Sequence, residues 1–306
     1  MQTTRNILLV RPASFGFNAE TADSNAFQNK KAAVHAREVA GKAIEEFNEF
    51  TYKLDDHGVN VLIVDDTNKP EKPDAIFPNN WVSFHPDGTV ILYPMQAKNR
   101  RSERRRDIID SLSEMFQVKQ IVDFSVFEEE NKFLEGTGSI VFDHQAKVAY
   151  ACLSPRTDRD VLESVCRFIK YKPVYFTAKD DTGKAIYHTN VMMCAGPSYV
   201  VVCLDSITDV KEQAKVVKSF EKGGLEIIDI SFDQLNKFAG NMLAVHSNRK
   251  KKLLVMSETA HKSLSKDQKK RLNKLTTIIP QKIDTIETIG GGSARCMMAE
   301  VFLPEL

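Results

Sequence analysis

The sequence predicts an α/β fold laid out as a five-bladed propeller, with ββαβ units around an axis and one unit assembled from both ends of the chain. Three observations carry this. Asn80, Glu135, His188, Asn241 and Cys296 follow one another at 55, 53, 53 and 55 residues, each just ahead of an apolar strand, and such a period marks a repeat architecture. Each interval repeats one order of hairpin, helix and returning strand. The segments left over at the two ends add up to one more unit. With 306 residues, 42% of them hydrophobic, the chain can bury a large core, and the period favours a single domain over residues 1–306. An open α/β sandwich with accidental spacing is the competing reading.

In chain order, residues 7–10, a helix over 30–57 and a strand over 59–64 open the first unit, and 297–303 completes it from the far terminus. A sheet shared by the termini closes the ring, removes open edges and ties down both ends. The second unit is the plainest. Strand 81–84, the Pro86-Asp87-Gly88 turn and strand 89–93 form a hairpin; Ile108, Ile109, Leu112, Met115 and Phe116 recur at helical spacing over 101–116; and 120–124 returns as a strand. The third has strands 139–142 and 148–153, a helix over 158–171 and strand 174–176. The fourth has strands 191–194 and 199–204, a Lys/Glu-rich helix stopped by Gly223-Gly224, and strand 225–230. The fifth has strands 242–246 and 253–256, one helix over 258–275 and strand 277–279.

Lys and Arg (42) nearly cancel Asp and Glu (41), so no global field attracts nucleic acid or an anionic membrane. The basic runs at 100–106 and 249–252 lack interleaved aromatics and read as solvated charge at a helix start and a hairpin turn; one arginine of the first run is a candidate second contact for a substrate carboxylate. The four apolar residues Ile7 to Val10 are too few for a signal peptide, and no stretch approaches a membrane span. The five cysteines are scattered, without a CxxC pair. The expectation is a reduced, cytoplasmic protein with a small-molecule partner, no nucleic acid, no membrane, no cofactor and no metal, and with homo-oligomerisation left open.

In a radial array the equivalent position of every unit faces the same channel, so a thiol, an imidazole, a carboxylate and two amides would line one pocket. Cys296 follows three glycines in Gly290-Gly291-Gly292-Ser293-Ala294-Arg295-Cys296, a loop able to wrap a small ligand. A thiol attacks only as thiolate and needs a partner; His188 can stabilise it as imidazolium and then move protons. Taken alone, a cysteine before an apolar strand is most often a small core residue; the glycine-rich context and the period shift Cys296 toward catalysis. Cys152, Cys166, Cys194 and Cys203 lie in apolar strands or a helix and read as packing. His35, His57, His85, His144, His246 and His261 fall on helices, turns or strand ends and read as solvent-facing. Glu135 suits two charge-assisted hydrogen bonds to an N–H-rich planar group. Asp74 can take an ammonium or cap its turn, and Arg156 can clamp a carboxylate or stay solvated.

These residues resemble the guanidino-group-modifying, or pentein, superfamily, which includes arginine deiminases, dimethylarginine dimethylaminohydrolases and glycine amidinotransferases. Gly290 to Met297 looks like the nucleophile motif, Phe133-Leu134-Glu135-Gly136 like the acidic strand entrance, Leu153-Ser154-Pro155-Arg156-Thr157 like the stretch with the carboxylate-binding arginine, and Tyr187-His188-Thr189-Asn190 like the histidine motif. The resemblance implies a five-bladed α/β propeller with Cys296, His188 and Glu135 catalytic. It departs from the dimethylarginine hydrolases after Pro73-Asp74-Ala75-Ile76-Phe77. There an acidic pair balances a guanidinium; here Asn79 and Asn80 are amides, which suit a neutral ureido carbonyl. The nearest branch is the citrulline-utilisation hydrolases. It implies attack of Cys296 on the ureido carbon, Glu135 on the ureido N–H groups, Asn79 or Asn80 on its oxygen, and release of ornithine, ammonia and carbon dioxide. Asp74 and Arg156 would hold the amino-acid end, Asn190 and Asn241 belong with the substrate-binding set, and Asn18, Asn25 and Gln28 with a covering loop. An arginine or methylarginine hydrolase, an amidinotransferase, and a non-catalytic amino-acid sensor are the alternatives.

Overall fold

The continuous apolar runs become the middle strands of three-stranded sheets, the position where a strand is covered on both faces. The computed structural model describes residues 1–22, 25, 27–29 and 36–306. Its first sheet joins the two chain ends. Strand β1 (Asn6–Arg11) runs parallel to β2 (Asn60–Asp65) and antiparallel to β15 (Ala299–Glu300), with Ile7 opposite Glu300. Four more sheets repeat this order: β3 (Val82–Phe84), β4 (Thr89–Leu92) and β5 (Gln120–Asp123); β6 (Val141–Asp143), β7 (Val148–Cys152) and β8 (Lys172–Phe176); β9 (Met193–Ala195), β10 (Tyr199–Val202) and β11 (Glu226–Asp229); β12 (Leu243–His246), β13 (Lys252–Ser257) and β14 (Thr277–Gln281). In each, the hairpin is antiparallel and the strand returning from the helix is parallel. This is the ββαβ order expected, and the five small sheets accord with a propeller.

The core lies between successive sheets. Leu8 and Val10 pack with Trp81, Val90 and Ile108. Ile91 and Tyr93 pack with Phe142, Ala149 and Val161, and Tyr150 and Phe176 with Val200, Val216, Met242 and Leu254. Leu243 and Val255 then pack with Ile7, Leu9 and Phe47, so apolar contact also runs from the fifth sheet to the first.

Several elements differ from expectation. The first helix is described from Ala36 to Asp56; residues 30–35, with His35, lie outside the described residues. The helix expected over 101–116 is a 3-10 turn, Lys98–Glu103, followed by an α-helix, Arg106–Ser113. Arg100 and Arg104 explain the break: they turn inward to Glu103 and to Glu128 instead of forming a solvated face. The helix expected over 258–275 is split into Glu258–Ser263 and Lys266–Leu275, because Ser265 and Gln268 form a capping box that starts a new helix. The strands expected from Ser139 and Val191 begin later, since one helical turn precedes each, Gly136–Ser139 and Thr189–Met192. His85 is buried rather than solvent-facing; its Nε2 meets Ser83 Oγ at 2.8 Å, and burial holds its pKa down to about 4. No helix among the described residues is long and apolar enough to cross a membrane.

Val301 binds the ends of the chain together: its N–H donates to Asn6 O at 2.9 Å, it bridges to Phe84 of the second sheet, and its side chain has no exposure. Val301→Asp is therefore expected to destabilise the fold by about 3 kcal/mol or more, as a buried unpaired charge does. Urea unfolding measures this; a loss below about 1 kcal/mol would contradict the role given to the shared sheet.

Candidate active site

Each marked residue sits where the chain turns into the inner strand of its sheet. Asn80 ends the turn Pro78–Asn80, Glu135 and His188 precede one-turn helices, and Asn241 and Cys296 stand shortly before β12 and β15. Equivalent positions in equivalent sheets converge. Cys296, His188, Asn80, Asp74, Arg100 and Arg156 line one cavity, with Tyr187, Phe77, Thr21, Asn25 and the three glycines Gly290 to Gly292.

Glu135 is buried without exposure beneath this cavity. His188 Nε2–H donates to its Oε2 at 2.8 Å, Arg156 Nη1 approaches the same oxygen at 3.5 Å, and the Gln96 N–H donates to Oε1 at 3.0 Å. Burial raises the cost of its charge, but Arg156 and His188 more than offset this and hold the carboxyl well below its usual range. Burial depresses the His188 pKa from its ordinary 6.5, with the Glu135 hydrogen bond working against the shift. Two expectations are corrected here. Glu135 is absent from the cavity lining and is spent on aligning His188, so it does not offer two free oxygens to a substrate. Burial works against a standing imidazolium at His188.

The sulfur is surrounded by amides. Asn241 Nδ2 donates to Cys296 Sγ at 3.3 Å and to Asn190 O at 2.9 Å, while Asn241 Oδ1 accepts the Arg295 N–H at 3.0 Å. Those backbone partners fix the amide orientation; its N–H2 end is the nearer to the sulfur, and its Oδ1, at 3.6 Å, accepts from the thiol. Asn190 Nδ2 lies 3.5 Å from the same Sγ. Neither asparagine lines the cavity; both serve the thiol, where substrate contact was expected.

Of the two consecutive amides, only Asn80 reaches the cavity. Its Oδ1 accepts from Arg100 Nη1 at 2.9 Å, and its Nδ2 has no partner among the described residues. A Cβ on Gly138 would lie 2.3 Å from that Nδ2 and 2.9 Å from His188 Nδ1, so the amide and the imidazole share the space that Gly138 leaves. Asn79 is buried away from the cavity, its side chain unpartnered among the described residues. Arg100 does reach the site, but Glu103 holds its Nε and Nη2, both at 2.8 Å, which occupies the edge a substrate carboxylate would use. Asp74 is buried; desolvation raises its pKa against the pull of Arg100, and its Oδ1 is unpartnered among the described residues.

The covering segment is closed. Asn18 Nδ2 donates to Asp74 Oδ2 at 2.7 Å, Asn25 Nδ2 to Gly291 O at 3.2 Å, and Gln28 Nε2 to Gly290 O at 3.2 Å, while Arg156 Nη2 donates to Thr21 O at 3.1 Å. The cavity below is about 20 Å³, room for about one water. Tyr187, which the sequence reading passed over, forms one wall: its hydroxyl donates to Gly291 O at 3.1 Å and its ring lies 4.9 Å from the Arg156 guanidinium. Among the described residues no group of three or more His, Cys, Asp or Glu is arranged to hold a metal.

Residues 11–303 match the family described as N,N dimethylarginine dimethylhydrolase, eukaryotic. The chain belongs to this family. This places it in the pentein, guanidino-modifying superfamily. No curated protein sequence matches it. Among solved structures it is similar to ArgZ, an arginine dihydrolase of the ornithine–ammonia cycle in Cyanobacteria, at 17% identity and a TM-score of 0.76 over 98% of this chain, and it spans 41% of ArgZ. The isolated N-terminal domain of ArgZ, covalently bound to a reaction intermediate, matches over 98% of both chains at 16% identity and a TM-score of 0.75. The dimethylarginine hydrolase of Pseudomonas aeruginosa, complexed with citrulline, matches over 97% of this chain and 99% of its own at 13% identity and a TM-score of 0.66. At these identities the structural likeness establishes the fold.

If Glu135 aligns His188, Glu135→Gln lowers kcat by about 100-fold or more, in the range of lost general acid–base function. The Glu135 hydrogen bond raises the His188 pKa, so its loss is expected to move the acid limb of the kcat/KM profile to lower pH. A raised KM with an unmoved limb would instead assign Glu135 to the substrate.

Proposed function

We propose that the chain is a thiol-dependent ureidohydrolase that converts citrulline to ornithine, ammonia and carbon dioxide, on a closed five-bladed ring with pseudo-fivefold symmetry. The observation that carries this is the Asn80 amide. Arg100 has only donors, so the amide oxygen must face it, and the N–H2 end is left for an acceptor. A ureido oxygen is such an acceptor, whereas a guanidinium presents only N–H groups.

In the mechanism that follows, neutral His188 takes the Cys296 proton as sulfur attacks the ureido carbon. Asn190 and Asn241 stabilise the charge that develops on sulfur as the proton leaves, and Asn80 donates to the oxygen as it gains charge. His188 then protonates the departing nitrogen. Water attacks the remaining S-linked carbonyl, giving its proton to His188, and sulfur leaves and is reprotonated; the carbamic acid released loses carbon dioxide and so frees the second amine. The free oxygen of Asp74 takes the substrate ammonium and Arg156 its carboxylate. The segment with Asn18, Asn25 and Gln28 closes over them and excludes water. The site faces a small amino acid, and the reading is of a cytoplasmic enzyme.

The second reading is a guanidino hydrolase acting on arginine or a methylarginine. The family description and the buried carboxylates Asp74 and Glu103 favour it, but both carboxylates already face Arg100. Product release from citrulline, arginine and dimethylarginine separates the readings. Citrulline should be turned over fastest, Cys296→Ala should abolish turnover, and Asn80→Asp should lower kcat/KM for citrulline by about 100-fold through charge repulsion and a lost donor, with arginine relatively favoured. A native preference for arginine or dimethylarginine overturns the ureido reading, and binding of citrulline without turnover points to a sensor.

A further inference from the structure

An amide has a direction that a carboxylate lacks. Its two ends have nearly the same shape, yet one accepts and the other donates. What faces Asn80 therefore decides which end the pocket sees. Arg100 faces it, and the Arg100 side chain is divided between two partners: Nε and Nη2 donate to the two oxygens of Glu103, both at 2.8 Å, which leaves Nη1 to donate to Asn80 Oδ1 at 2.9 Å. All three side chains are buried, with 2–3% exposure. A planar guanidinium held along one edge by a carboxylate cannot turn without breaking two charge-assisted bonds. Arg100 is thus fixed in place, and the Asn80 N–H2, unpartnered among the described residues, is fixed toward the space beside His188 Nδ1.

We propose that Glu103, which does not line the cavity, is a specificity-determining positioning residue: by clamping Arg100 it locks the Asn80 amide with its donor end inward, and so selects a reacting group that carries an acceptor oxygen. This deepens the ureido reading and rests on it. The three residues form a relay in which a buried carboxylate orders a guanidinium and the guanidinium orders an amide. Without the clamp, Arg100 can shift and the amide can present either end. The pocket then loses its discrimination rather than its chemistry.

The test is a cycle of variants read as selectivity, the ratio of kcat/KM for citrulline to that for arginine, in the native enzyme, Glu103→Gln, Asn80→Asp and the double variant. Glu103→Gln keeps the shape but offers one acceptor to a fork that needs two. It is expected to lower the ratio about 10-fold, the worth of one oriented hydrogen bond. In the Asn80→Asp background the same change should leave the ratio within about 2-fold, because two equivalent carboxylate oxygens have no direction to lose. An equal fall for both substrates, or the same shift in both backgrounds, shows a merely structural role and overturns the proposal. Should Glu103→Gln not fold, Glu103→Asp keeps the charge but draws the two oxygens back from the Arg100 fork, and is expected to lower the ratio likewise. A native enzyme that prefers arginine overturns the ureido reading itself; a native preference for citrulline with an unchanged ratio in the variants overturns this proposal alone.

Discussion

Glu135 is a carboxylate with no access to water, and the rest of the site is arranged around compensating it. Such a group is tolerated only when charge and hydrogen bonds meet it on every side. His188, Arg156 and the Gln96 N–H do so, and each is fixed in return. His188 gains a defined tautomer, with Nε2–H on Glu135 and Nδ1 left as the acceptor. Arg156, held at one end, reaches Thr21 O in the covering segment and lies over Tyr187, whose hydroxyl closes on the glycine loop before Cys296. One buried charge thereby ties the third sheet to the fourth, to the covering segment and to the nucleophile loop.

The opposite wall carries no comparable charge. Cys296 is met by the amides of Asn190 and Asn241, from the entrances of the fourth and fifth sheets. Donors of this kind suit a sulfur that gains charge without supplying a standing cation, in a cavity with room for little more than a single water. The ordering of that cavity also depends on close approach between sheets. A Cβ on Gly136 would come within 2.3 Å of Asn79 O, and this residue has a φ of +46°, a region glycine occupies readily.

The period of about 54 residues was legible because every sheet has the same turn into its first hairpin strand, and the residues at those turns come together around one cavity. That is why Cys296, His188, Glu135, Asn241 and Asn80 could be read together from spacing. Finer direction was not legible. Asn79 and Asn80 are adjacent in a 3-10 turn, where successive side chains point about 120° apart, and nothing in Pro78-Asn79-Asn80 says which faces the axis. Arg100 and Glu103 were hidden in a charged run because their burial is a tertiary fact: neither side chain is stable inside without the other. The role of Glu135 was misread for a related reason, since a carboxylate ahead of a strand suits a substrate as well as it suits an imidazole, and only the position of His188 decides. The break at Ser265 was, by contrast, written in Ser265-x-x-Gln268.

Cys296 is proposed as the residue that bonds to substrate. Intact-protein mass spectrometry of enzyme quenched during turnover of citrulline, followed by peptide mapping, tests this most directly. A substrate-derived adduct is expected on the peptide holding Cys296 and absent from Cys296→Ala. Sustained turnover with no adduct on that peptide, or an adduct on another residue, would contradict it.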